Sequence, residues 1–306
     1  MSLPCFSAWP EKAITWLLPF PVGGPTDTFA RPVAAGVAKQ LGQPVVVENR
    51  SGAGGTLGAA IVAQATADGY TMLIGYTGLC YAPLIYPSVK FDLARDFVPI
   101  SAIDRVQETL VVNPHVLDVS TLQQFIETAR RKPDSIDMAS GGLGTVPHLA
   151  IEILQARAGI RLHHVPYRGG GPALQDLLGG QVAGMFGAAG LLAGYVRTGK
   201  LRAIATAGRR REALLPDVPT MAEAGLADFR ASSWDGLFAP RGTPEPVLDR
   251  MHAAVQAALG SDAIHRLWAE QGAKVELESR ADFARFVGAE ISRWGKIVRA
   301  AKVRLE

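Results

Sequence analysis

The chain of 306 residues is 48% hydrophobic and holds 33 glycines and 20 prolines, enough to bury two lobes joined by many tightly shaped loops. Its formal charge of +3 is mild, and the basic runs Arg130-Arg131-Lys132 and Arg209-Arg210-Arg211 lack interleaved aromatics, so they read as solvated surface and not as a nucleic-acid face. No apolar run reaches the roughly 18–20 residues of a membrane span; Cys5 and Cys80 form no metal-ligand pattern, although one disulfide stays open.

The first residues, Met1 to Ala8, lack the positive region and apolar stretch of an export signal. That lack does not point to the cytoplasm. Ala13–Pro19 reads as a strand, followed by a helix from Thr28 to Leu41 in which Pro32 either delays the start or kinks the first turns. Val45–Asn49 is a β-branched second strand. The glycine loop Ser51–Thr56, an apolar helix near Leu57–Ala65 and the strand Tyr70–Gly75 complete a βαβαβ unit, hence a parallel sheet. The plan then repeats. Strand Thr109–Asn113, helix Thr121–Arg131, strand Asp137–Ser140, helix Pro147–Ala158, strand His163–Tyr167 and helix Ala173–Leu178 follow, with strands at Val182–Phe186 and Leu201–Thr206. Beyond Pro219, Ser233–Pro240 reads as an extended crossing segment and Pro244–Leu259 as a long helix. The tail from Ala281 to Val303 is amphipathic, with Phe283, Phe286, Val287, Ile291, Trp294 and Val298 on one face, the pattern of a helix that closes onto the body. Trp234 is either core or a cleft wall.

Four loops share one design, in which a strand runs into glycines and then into a helix N-terminus: Gly23-Gly24, Gly52 to Gly55, Gly141 to Gly144 and Gly169 to Gly171. The first N–H groups of a helix have no internal partner, the helix dipole makes that end positive, and glycine lets an anion approach the backbone closely. Two such loops in each half imply two sets of strand ends facing one cleft. None carries the Gly-Lys-Ser/Thr of a P-loop, and Gly52-x-Gly54-x-x-x-Gly58 misses the dinucleotide spacing by one position. A small mono- or dicarboxylate suits such cradles better than a triphosphate. In the first of them, Gly23 and Gly24 are expected to leave their N–H groups open toward the cleft. Thr26 and Asp27 either cap the helix or touch ligand, and the two roles are compatible.

Ser140 and His148 invite a second reading, a hydrolase acting on small carboxylic acids, with Asp27 as a further candidate. The stretch reads Met138-Ala139-Ser140-Gly141-Gly142, which is not a G-x-S-x-G elbow, and His148 falls in a first helical turn, where it packs or caps. The neighbours His163 and His164 point to opposite faces of a strand, and no His/Cys/Asp/Glu group has zinc spacing. Neither a metal nor a cofactor is expected.

The segments LLPFPVGGPTDTFAR, GQPVVVENRSGAGGTLGAAIVAQATADGYTML, FVPIS, VPYRGGGPALQDLLGGQV, LPDVPTMAEAG and SSWDGLFAPRGTPEPV, in this order, resemble the Bug receptors, extracytoplasmic solute receptors related to tripartite tricarboxylate transporters. The resemblance covers nearly the whole chain, from about Trp9 to Lys302. It implies a type II periplasmic-binding-protein fold: two doubly wound α/β lobes with a central ligand cleft, closing on a small carboxylate without catalysis. It implies lobes of residues 1–103 plus 228–306 and of residues 104–227, with the C-terminal helix free to lie across the second. One carboxylate end is expected at the loop after the first strand, at Phe20, Gly23, Gly24, Thr26 and Asp27. The second lobe would contribute Ser140, Gly142, Thr145, Tyr167, Gly169 and Gly170, with Thr77 and Gly187 at the remaining strand ends. Periplasmic export, a monomeric state and a membrane transporter or sensor partner are implied as well.

Two positions depart from the family pattern. Gly78-Leu79 stands where relatives commonly carry Thr-His, and Gly187 where they commonly carry an acid. Both changes are expected to make the cleft less polar and to favour a carboxylate with an apolar or aromatic body over an amino acid.

Overall fold

A computed structural model describes residues 9–275 and 277–301. Cys5 lies outside the described residues; Cys80 is a buried free thiol. Strand β1 (Ile14–Leu18) is buried almost throughout, as a strand covered on both faces must be. Helix α1 (Pro25–Leu41) starts three residues earlier than the sequence suggested. Gly24 is its N-cap and Pro25 its first residue, where a missing N–H costs nothing. The helix runs unbroken through Pro32 and stops at the left-handed Gly42, whose N–H bonds Ala38 O. Strand β2 (Val45–Asn49), helix α2 (Thr56–Ala63) and strand β3 (Thr71–Tyr76) complete the expected unit. Two single-turn helices, α3 (Ala82–Ile85) and α4 (Leu93–Asp96), lead into β4.

Strand β4 (Phe97–Val112) is sixteen residues long, whereas only Thr109–Asn113 looked like strand. Pro99, Asp104, Arg105 and Gln107 interrupt its apolar pattern, and its register slips after Pro99 and again after Ala102. The chain continues through α5 (Leu122–Arg131), β5 (Asp137–Ser140), α6 (Val146–Ala158), β6 (His163–Pro166), α7 (Gly170–Leu178), β7 (Gly184–Ala188), α8 (Ala189–Arg197) and β8 (Arg202–Thr206). It closes with β9 (Ser232–Pro240), α9 (Glu245–Leu259), α10 (Asp262–Glu270), β10 (Ala273–Lys274) and α11 (Arg280–Ala301). On α11, Phe283, Val287, Trp294 and Val298 are buried, the face its pattern marked out. This helix packs on β4, α6 and α3. Trp234 is core: it is 1% exposed and meets Phe283 edge-on, with ring centroids 6.1 Å apart.

One continuous path of strands, β2-β1-β3-β9-β4-β7-β5-β6, joins the two halves, so the fold is α/β with two sheets sharing β4. Strand β4 pairs with β9 from Phe97 to Gln107, then with β7 from Glu108 to Val112 and with β8 from Thr109 to Val112. Pairing directions decide where the loops go. Strands β1, β2 and β3 are parallel; β9 runs against β3 and against β4, so β3 and β4 point the same way. Strand β7 runs against β4, and β5 and β6 run with β7. The carboxyl ends of the first set and of the second set therefore face each other along β4. Tyr76, at the end of β3, is level with Asp235, which faces Asp104. Ala188, at the end of β7, faces Glu108. About 13 Å of β4, at roughly 3.3 Å per residue, separates the two sets of strand ends.

Candidate functional site

The loop after β1 is organised by one carboxylate. Asp27 Oδ2 accepts the Gly23 N–H at 3.1 Å and Arg31 Nε at 2.8 Å; its Oδ1 accepts Asn49 Nδ2 at 3.0 Å and lies 2.8 Å from Arg31 Nη2. Asn49 also donates to Phe20 O at 2.9 Å, so the end of β2 pins the loop from its other side. Burial on its own would raise the Asp27 pKa; the bonds from Arg31, Asn49 and Gly23 outweigh it and hold the carboxyl at about 2. Asp27 thus caps from inside the first turn, reaching back to the residue before the N-cap, much as the acid of a capping box does. This corrects one expectation. The Gly23 N–H is taken by Asp27, and the Gly24 N–H by Pro21 O at 3.4 Å. The open donors sit one step further on, because no acceptor among the described residues takes the N–H of Thr26 or Asp27.

At the end of β3, the half-buried Tyr76 lies edge-on to Phe20, ring centroids 4.6 Å apart, and its hydroxyl donates to Gly54 O. Gly55 and Gly78 make room for that ring. A Cβ on Gly55 would stand 2.7 Å from the Tyr76 oxygen, and one on Gly78 would collide with Cε2. The second glycine loop is therefore filled by tyrosine. Thr77 is buried: its Oγ1 accepts the Trp234 N–H at 2.8 Å and donates to Trp234 O at 3.3 Å. Its side chain extends the β3–β9 ladder one residue past its last backbone pair, Tyr76 with Asp235.

In the other half, the loops after β5 and β6 adjoin. Tyr167 N–H bonds Ser140 O at 3.0 Å, and Gly169 N–H bonds Gly141 O at 3.1 Å. A Cβ on Gly142 would lie 3.2 Å from Tyr167 O, and one on Gly141 3.2 Å from Gly170 N, so bare backbone allows this approach. Ser140 Oγ is fully buried, accepts the Gly142 N–H at 3.1 Å and lies 2.7 Å from His164 Nε2. Thr145 Oγ1 donates to Gly142 O at 2.8 Å. His148 Nδ1 accepts the Gly144 N–H at 3.0 Å, and its ring stacks on His164 at 4.1 Å. Burial holds both rings down to about 4, so they are neutral at pH 7. Tyr167 gives its hydroxyl to Asp176 at 2.7 Å. No described acceptor takes the N–H of Val146, His148, Gly170 or Gly171, which leaves the starts of α6 and α7 open as donors. Tyr81, which precedes α3, donates to Gly144 O at 2.8 Å and ties the two halves together.

Three buried acids on the spanning strands escaped the sequence reading. Asp104 and Asp235 are opposite partners on β4 and β9, 3% and 7% exposed. Thr26 Oγ1 donates to Asp235 Oδ1 at 3.3 Å. Glu108 accepts from Ser233 Oγ at 3.3 Å, and burial pushes it up to about 7. The available signal was a charged residue inside an apolar segment, Asp235 in SSWDGLFAP.

Residues 29–303 match the family described as "Tripartite tricarboxylate transporter family receptor". The chain belongs to this family. It is 37% identical to Protein BugT of Bordetella pertussis, over 97% of this chain and 92% of that one. Two solved structures are also similar. An R. palustris protein with adipate shares 36% identity and a TM-score of 0.85, over 96% of this chain and 98% of that one. MatC from Rhodopseudomonas palustris, with bound malate, shares 36% identity and a TM-score of 0.82, over 95% and 100%. The family is one of binding receptors, not enzymes, which sets aside the hydrolase reading. In the structure Ser140 pairs with His164 and not with His148, whose Nδ1 is taken by the Gly144 N–H. Among the described residues no group of three or more His, Cys, Asp or Glu is placed to hold a metal ion, and no helix is long and apolar enough to cross a membrane.

The two positions expected to depart from the family pattern, Gly78 and Gly187, sit against packed side chains. Gly78 accommodates the Tyr76 ring. At Gly187, on β7, a Cβ would stand 3.2 Å from Leu192 Cδ1 and 3.4 Å from Met185 Cε, so apolar side chains already occupy the space an acid would need.

Proposed function

We propose that the chain is a periplasmic receptor that closes two lobes on a small carboxylate with an apolar or aromatic body. The lobes are residues 1–103 with 228–306, and residues 104–227. The observation that carries this reading is the convergence of strand ends along β4, with open N–H groups at the starts of α1, α6 and α7. Helix N-termini of this kind favour an anion by about 0.3–2 kcal/mol each. The adipate and malate in the two similar structures support a carboxylate as that anion. We assign the carboxylate end to the loop Phe20–Asp27, with Thr26 and Asp27 acting through backbone. The second contact surface is Ser140, Gly142, Thr145, Tyr167, Gly169 and Gly170. Thr77 and Gly187 serve behind it, as the ladder clamp and the apolar wall. Phe20, Tyr76 and Leu192 favour an apolar body over an ammonium group. The closed receptor would hand its ligand to separate membrane components, as the family description implies. A thermal-shift panel of aliphatic, aromatic and amino acids tests the assignment. Stabilisation by aspartate or glutamate alone, with no response to adipate or benzoate, would overturn it.

A further inference from the structure

The spanning strands carry two carboxyl groups that form no ion pair with a basic side chain among the described residues. Asp104 and Asp235 face each other across β4 and β9, both more than nine-tenths buried. Asp104 Oδ2 has no hydrogen-bond partner among the described residues. The groups around the pair are known. Thr26 of α1 donates to Asp235, and Tyr76 of β3 stands opposite Asp235. Asp27 of α1 is neutralised by Arg31. Arg105, next in β4, turns to Glu278 and lies over the Phe286 ring. Glu108 is further along β4 and bonds Ser233. Two buried carboxyls facing each other across one strand pair are not both expected to ionise. We propose that Asp104 and Asp235 form a proton-holding pair that couples anion binding at the start of α1 to the uptake of one proton.

The linkage follows from position. Burial and the neighbouring acid keep Asp104 protonated, whereas burial pushes Asp235 up to about 7. Near neutral pH the pair therefore alternates between charge zero and minus one. The negative form sits one hydrogen bond, through Thr26, from the open N–H groups of α1. An anion arriving there opposes that charge, so Asp235 takes a proton from solvent as the anion binds: anion, proton and receptor combine, and no other bond changes. Selectivity follows from the same charge. Above pH 7 the pair discriminates against ligands whose only charge is negative.

The inference rests on the carboxylate reading above, and the test separates the two. Adipate, malate and benzoate are titrated calorimetrically in two buffers of different ionisation enthalpy, between about pH 6 and about pH 8.5, so that proton uptake is counted directly. The receptor is expected to take up close to one proton per anion at the alkaline end, and its affinity to fall by up to about tenfold per pH unit above 7. Asp235→Asn is expected to bind with no uptake and a flat pH profile, while Glu108→Gln keeps both. A flat profile in the unaltered receptor, or loss of uptake in Glu108→Gln and not in Asp235→Asn, overturns the proton pair and leaves the carboxylate reading standing. Failure of all three acids to bind either protein takes down both. The pair is also tested without ligand, in a Glu108→Gln background that removes the other raised buried acid: above about pH 8 the infrared band of a buried protonated carboxyl should persist there and vanish when Asp104→Asn is added, and its absence from the Glu108→Gln protein would refute the inference.

Discussion

Replacing Asp27 with Asn keeps its shape and removes its charge, and it asks whether this residue organises the loop or serves the ligand. Asp27 answers four donor contacts from Gly23, Arg31 and Asn49. An amide presents one oxygen and one NH2, so a donor would then face a donor. The carboxyl is held at about 2 against an ordinary 3.8, and at ~1.36 kcal/mol per pH unit that difference is about 2.5 kcal/mol. The Asp27 side chain is 5% exposed but that of Arg31 is 44% exposed, so solvent screening trims this figure, which stands as an upper bound. The sign is that of a depressed acid. The contribution is complete above the ordinary carboxylate range and is lost as pH falls from 3.8 through about 2. Urea unfolding followed by tryptophan fluorescence should show Asp27→Asn less stable by about 1–2.5 kcal/mol at neutral pH and by roughly half as much near pH 3. A deficit below about 0.5 kcal/mol at neutral pH, or one that does not shrink in acid, would refute the loop-organiser role.

Gly78→Ala drives a methyl into the Tyr76 ring and should cost about 1–3 kcal/mol; in a double-mutant cycle measured by urea unfolding, Tyr76→Ala should relieve most of that. Tyr81→Phe removes the hydroxyl that bridges to Gly144 O. Its ligand Kd should weaken by about fivefold, equivalent to about 1 kcal/mol, and titration calorimetry checks it. His148 and His164 bind protons less readily when folded, at about 4 against 6.5. Their contribution to stability is therefore present above about pH 6.5 and falls as pH drops toward about 4, by on the order of 2 kcal/mol each. His148→Gln, which can still accept the Gly144 N–H, should flatten that slope, and an unchanged slope in urea melts across the window would count against the buried neutral pair.

The fold was legible where local pattern and packing agree. Val45–Asn49 and the amphipathic α11 stand where the pattern placed them. The first half of β4 was not legible, because a strand that spans two lobes has no single buried face to impose alternation; Asp104 and Arg105 break it for reasons that lie in other elements. The glycines marked four helix starts correctly, but they could not say which N–H groups remain open. That depends on side-chain geometry that glycine spacing does not encode: Asp27 closes Gly23 and His148 closes Gly144, each reaching back four residues, and Tyr76 occupies the second loop from the end of β3. The buried acids were invisible for a related reason. Asp104 and Asp235 are far apart in sequence and acquire meaning only through the register of β4 on β9.

A cradle made of backbone has a consequence for selectivity. On the proposed assignment, the N–H groups of Thr26, Asp27, Gly170 and Gly171 come with the helix starts and not with particular side chains, so they would recognise the carboxylate group and little else. What distinguishes one ligand from another must come from side chains around the junction that backbone geometry does not dictate. On the same assignment those would be Tyr76, packed on Phe20, Leu192, against Gly187, and Asp235, behind Thr26. Substitutions at these three positions should exchange one carboxylate for another, whereas substitutions that disturb the Asp27 network should weaken all carboxylates together, because they act on the frame that every such ligand shares.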